Sequence, residues 1–150
     1  MSDLFLIGRI GTDWVGFPAE QVEAVVPLAE AVPVPHAPPS VRGLVAIRSR
    51  LLTLIDTSIV VGSGVTAPGA PMVIITLDGH GYALTLDAVD DVVSLEGTQA
   101  LAAPLSGRWS GLADAMAEHA ERIILIVEPA RLVAAAASDL GSGPIMHMAA

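Results

Sequence analysis

The chain has no cysteine and no lysine. Without cysteine there are no disulfides, no thiolate metal sites and no cysteine nucleophile, and a reducing cytoplasm fits. Without lysine there is neither a P-loop lysine nor Schiff-base chemistry. Aromatic residues are scarce, with two Trp, one Tyr and two Phe. The core must therefore be built from Val, Leu, Ile and Ala. The N-terminus, Met-Ser-Asp-Leu-Phe, lacks a basic segment followed by an apolar one, so no signal peptide is expected.

What is present is apolar. Hydrophobic residues make up 53% of 150 and charged residues 15%, which argues against disorder and for one unit able to bury a core. The longest uncharged stretch, Thr57 to Leu77, contains Gly62, Gly64, Pro68, Gly69 and Pro71. These breakers exclude a membrane-spanning helix and predict a helix or strand end, a loop and a new strand. Net charge is −9: residues 1–56 hold six acids and four Arg, and residues 57–150 hold ten acids and three Arg. So acidic a protein repels phosphate backbones, and nucleic acid is not an expected partner. Within that field Arg42, Arg48 and Arg50 cluster, a candidate contact for an acidic partner or a set of solvated loop charges.

Strand signals dominate. Leu4 to Ile10 and Trp14 to Phe17 flank Gly11-Thr12-Asp13, predicting a hairpin. Glu20 to Leu28 fits strand or helix by periodicity. Five prolines at 27, 33, 35, 38 and 39 forbid a regular helix through 27–39. Val41, Gly43, Val45 and Ile47 alternate on one face, a tight connection is expected at Ser49-Arg50, and Leu51 to Asp56 forms the next strand. Met72 to Leu77 and Tyr82 to Leu86 flank Asp78-Gly79-His80-Gly81, again a hairpin. Trp109 to His119 is ambiguous. Ile123 to Val127 is a strand, and Pro129 opens a short helix that stops by Gly141.

The segment E-Q-V-E-A-V-V-P-L at 20–28 returns as D-A-V-D-D-V-V-S-L at 87–95, a shift of 67 residues. Each copy follows a strand, a Gly-containing turn and a second strand. The echo predicts two similar β subdomains burying their apolar faces against each other.

Catalytic chemistry is not legible. No G-x-S-x-G elbow surrounds any serine, and Gly62-Ser63-Gly64 does not extend to a dinucleotide fingerprint. His36, His80, His119 and His147 stand in no zinc-ligand spacing. Asp87, Asp90 and Asp91 cluster, but no group completes an acid–base site. They read as surface charges that discourage edge pairing, one of them a structural turn carboxylate. No catalytic residue, cofactor or metal is expected.

The stretch V-R-G-L-V-A-I-R-S-R-L-L-T-L-I-D at 41–56 resembles the signature of the CheW-like family. The segments at 20–28, 37–43 and 87–95, with Gly111-Leu112 and the run at 123–133, resemble its other portions in order, so the likeness runs from about residue 4 to about residue 137. It implies an all-β fold with one or two short helices: two SH3-like five-stranded β-barrels packed on a shared core. Their expected extents are 15–65 and 4–14 plus 70–137, with 138–150 a loose tail. It also implies a non-enzymatic signalling adaptor, cytoplasmic and recruited to membrane receptor arrays without inserting in the membrane. Its partners would be a chemoreceptor cytoplasmic tip and the regulatory domain of a CheA-type histidine kinase. By position, Gly43, Arg48 and Asp56 correspond to motif residues, and Val22 and Val25 lie on the strand associated with partner contact. Arg48 has two readings, a partner contact or an internal pair with Asp56. Ala46, Ser49, Thr53, Thr57 and Ala88 depart from the family's usual Asn, Gly, Pro, Leu and Gly. A scaffold in a non-motility kinase pathway and a small-ligand barrel are the alternative readings.

Overall fold

The computed structural model describes residues 3–142. Eleven strands and two helices follow in order: β1 (Asp3–Ile10), β2 (Asp13–Pro18), β3 (Ala24–Pro27), β4 (Val41–Ile47), β5 (Arg50–Ile55), α1 (Thr57–Val60), β6 (Pro71–Leu77), β7 (His80–Thr85), β8 (Ala88–Leu95), β9 (Gln99–Ala100), β10 (Ala113–His119), β11 (Arg122–Val127) and α2 (Pro129–Ser142). The all-β expectation holds. The expected tail at 138–150 begins inside α2, and residues 143–150, with His147, lie outside the described residues.

Two sheets form, ordered β8-β1-β2-β11-β10-β9 and β3-β6-β7-β5-β4. Apart from the two-residue β9, they are copies of one another. A shift of 67 takes Asp13 at the start of β2 to His80 at the start of β7, and a shift of 72 takes Val41 in β4 to Ala113 in β10. Pairing registers repeat as well. Arg9 faces Trp14 as Thr76 faces Gly81, Leu6 faces Val92 as Val73 faces Val25, and His119 faces Arg122 as Ile47 faces Arg50. Each sheet contains one parallel pair, β2–β11 or β5–β7, and it falls at the same place. The echo at 20–28 and 87–95 therefore marks the same edge strand of two barrels, β3 and β8.

The copies exchange hairpins. β1–β2 belongs by sequence to the first copy but pairs with strands of the second, and β6–β7 of the second copy pairs with strands of the first. The expected extents assigned 70–77 and 80–85 to the barrel of residues 4–14, whereas these strands pair with β3 and β5.

Alternation gives the central strands two buried faces. In β6, Val73 and Ile75 enter a core shared by both sheets and both helices, while Met72 and Ile74 fill the interior of their own barrel. In β1, Leu6 enters the shared core, and Phe5 and Ile7 fill the other barrel. Burial on both faces explains the unbroken apolar runs that replace the half-polar pattern of a surface sheet. α1 and α2 contribute Val60, Leu132 and Ala136 to the shared core.

Candidate functional site

The expected site residues separate into two that are internal and three nearer the surface. Asp56 is fully buried and caps α1. Its carboxylate accepts from the backbone N–H of Ser58 at 3.1 Å and of Ile59 at 3.3 Å, from the N–H of Thr66 at 3.1 Å and from the Thr66 hydroxyl at 2.7 Å. Thr66 in turn meets Thr85 Oγ1 at 2.8 Å. A carboxylate so enclosed cannot touch a partner directly. Its work is to tie the end of β5 to the loop before β6, because buried N–H groups at a helix start must find an acceptor.

Gly43 is also internal. Its φ is +140°, and the extended segment after β3 crosses it so closely that an added Cβ would lie 2.1 Å from the Val32 carbonyl oxygen. The crossing is held by paired backbone hydrogen bonds between Val32 and Leu44. Only glycine fits, so this signature position serves the fold.

Arg48 is exposed, in a two-residue turn with Ser49 that joins β4 to β5. The connection thus falls one residue earlier than the expected Ser49-Arg50. Positive φ at both residues, 50° and 67°, is the type I′ geometry whose twist matches a hairpin. The internal pair with Asp56 is taken by Arg42, whose Nη1 lies 3.4 Å from Asp56 Oδ2 and whose side chain is 34% exposed. Val25 is exposed on β3, whereas Val22, expected on the same strand, lies before it at the end of a 3-10 turn, half-buried against the shared core.

The turn stands beside the mouth of the barrel formed by β3 to β7. A depression of about 350 Å³ opens there, floored by Ala24, Val26, Ile47, Leu52 and Ile74, and rimmed by Glu23, Arg48 and Arg50. Arg50 is engaged on that rim. Its Nη1 donates to Glu23 Oε2 at 2.9 Å and its Nη2 to the Thr76 hydroxyl at 3.0 Å, and that hydroxyl donates to Glu23 Oε1 at 2.8 Å. The Arg50 guanidinium, then the Thr76 hydroxyl, hold the Glu23 carboxyl below its ordinary value of 4.5. One acid against two guanidiniums leaves the mouth positive in a chain of net charge −9.

Sequence reasoning saw the arginine cluster but not its division of labour. Arg42 braces a buried acid, Arg50 closes a surface triad, and Arg48 projects. Arg42 and Arg50 acquire these roles from pairings across 14 and 27 positions, which local spacing does not encode. The acidic cluster resolves likewise. Asp87 accepts from the Gly11 N–H and the Ser58 hydroxyl, the expected turn carboxylate, and Asp90 pairs with Arg122 at 3.3 Å. Among the described residues no group of His, Asp and Glu could hold a metal ion, and no helix is long and apolar enough to cross a membrane.

Comparison with known proteins agrees with this architecture. No curated protein matches the chain. Among solved structures it is similar to the crystal structure of scaffolding protein TtCheW from Thermoanaerobacter tengcongensis, at 18% identity and a TM-score of 0.74, over 85% of this chain and 84% of that one. That likeness gives the fold, a pair of SH3-like barrels. The model of the CheW-like domain matches residues 4–137, and the chain therefore belongs to the CheW-like domain family.

Proposed function

We propose that this protein is a signalling adaptor that couples a chemoreceptor's cytoplasmic tip to the regulatory domain of a CheA-type histidine kinase. Family membership gives the scaffold role, and one structural observation carries the finer reading. Arg48 is offered to solvent on a two-residue turn beside an apolar depression, with no internal partner among the described residues. A guanidinium presents up to five donors in a fixed fork, which sets register as well as attraction. An amphipathic helix with an acid beside its apolar face satisfies both features. Val25, exposed on the other face of β3 from Ala24 and Val26, would belong to a second partner contact. A separate edge meets the kinase, and two modest contacts on one scaffold raise effective concentration without one tight interface.

The test is direct binding of the purified chain to a receptor cytoplasmic fragment and to a kinase regulatory domain. Both are expected to bind. Arg48→Ala should weaken receptor binding by about tenfold, the scale of one charge-assisted hydrogen bond, at an unchanged melting temperature. Binding to neither protein overturns the reading. A lowered melting temperature with unchanged receptor affinity returns Arg48 to a structural role.

A further inference from the structure

The two barrels are copies in register, so their mouths can be compared residue by residue. Ile74, Val26, Leu52 and Leu54 of one correspond, by the shifts of 67 and 72, to Ile7, Val93, Ile124 and Ile126 of the other. The rim ion pair is duplicated too. Arg50–Glu23 at 2.9 Å corresponds to Arg122–Asp90 at 3.3 Å. The copies differ at several mouth positions: Ala24 and Ile47 of the open mouth correspond to Asp91 and His119 of the other, and a tryptophan of the other has no counterpart side chain. Trp14 stands in the mouth of the barrel of β1, β2, β8, β10 and β11, packed on its interior cluster, with the Arg122 guanidinium 3.9 Å over its ring. Its counterpart is Gly81. There Leu52 Cδ2 and Arg50 Nη2 lie 2.3 and 2.9 Å from where a Cβ would begin, and the open depression lies along Ala24, Val26 and Ile47. One mouth carries its own aromatic lid, and the other is left open with the same arginine above it and a second arginine, Arg48, where the sealed copy has Ala120.

We infer that the open mouth is a seat for an aromatic side chain of an acidic partner segment, lying along Ala24, Val26 and Ile47 beside the Leu52 and Arg50 side chains that fill the position equivalent to Trp14. The ring packs on Val26, Ile47 and Leu52 under the arginines, where a guanidinium over an aromatic face is favourable. A carboxylate next to the ring reaches Arg48. Local charge agrees, since the mouth is positive and the rest of the chain strongly acidic, which directs an acidic segment here. The inference rests on the adaptor reading only in taking the occupant to be part of a protein.

The experiment titrates the full chain, labelled for amide NMR, with three capped tripeptides: Asp-Trp-Glu, Asp-Ala-Glu and Lys-Trp-Lys. Asp-Trp-Glu is expected to shift Ala24, Val26, Ile47 and Leu52 selectively and to bind at least about tenfold more tightly than either control. Ala24→Trp, which builds an indole into the mouth from β3, should abolish the shifts. Arg48→Glu, exposed and tolerable to the fold, should weaken binding about tenfold and decides the matter if Ala24→Trp does not fold. Equal binding of the three peptides, shifts elsewhere, or indifference to Arg48→Glu overturns the seat. If the seat fails while receptor and kinase fragments still bind, this inference alone falls. If those fragments also fail to bind, the adaptor reading falls separately.

Discussion

At the scale of single residues, the signature stretch divides into positions that build and one that presents. Arg48 and Ser49 both occupy left-handed backbone, which costs a residue with a Cβ roughly 1 kcal/mol. Ser49 stands where the family's usual residue is Gly, and Gly prefers the second position of a type I′ turn. Ser49→Gly should raise stability by about 0.5–1 kcal/mol. Denaturant titration measures it, and a loss of stability would show that the Ser side chain contributes more than its strain costs. Asp56→Ala removes a cap worth about 1 kcal/mol and strands the N–H of Thr66 at about 1–3 kcal/mol, so a loss near 3 kcal/mol is expected. The same titration reads it, with loss of amide protection at Ile59 and Thr66 as the local sign. The sequence showed that both positions belong to one motif. It did not show that Asp56 is buried, because its donors come from residue 66 as well as from the adjoining helix turn.

At the scale of elements, the hairpins were legible and some strand identities were not. Gly11 and Asp78-Gly79 announce turns by their backbone freedom, and the flanking apolar runs complete the signal. The stretch from 113 to 119 reads Ala-Asp-Ala-Met-Ala-Glu-His, poor in β-branched residues, and becomes β10 because β11 pairs with it along its length. Tertiary pairing overrode propensity there. The β3 edge depends on side chains that local patterns do not reveal, namely Glu23 with Arg50 and Thr76. Because this environment lowers the Glu23 pKa, its contribution is fully present above 4.5 and is lost as pH falls through the depressed folded value. The pair is largely exposed, so the effect on stability is small. Melting curves of the native chain and of Glu23→Gln should therefore differ at neutral pH and converge on acidification. A difference that persists in acid would assign the effect to packing instead of charge.

At the scale of the whole molecule, the internal echo foretold a duplication, but not which strands each copy keeps. Sequence order suggests that neighbours pair, whereas β2 joins β11 and β7 joins β5 in parallel across the duplication. Exchange of the two hairpins means that neither barrel contains a complete copy, so neither closes without chain from the other. The shared core enforces this dependence, since Val15 and Phe17 of one sheet pack with Ile55, Val73 and Leu84 of the other. Damage in one barrel must then be felt in both. Ile124 is fully buried in the interior of the barrel that carries Trp14, in a cluster distinct from the shared core. Ile124→Ala should cost about 3 kcal/mol. If the barrels unfold as one unit, native-state hydrogen exchange at Val73, Ala83 and Leu84 in the other sheet should accelerate about a hundredfold, and thermal unfolding should remain a single transition. Unchanged protection at those three amides, or a second transition, would mean that the exchanged hairpins and common core do not couple the two halves.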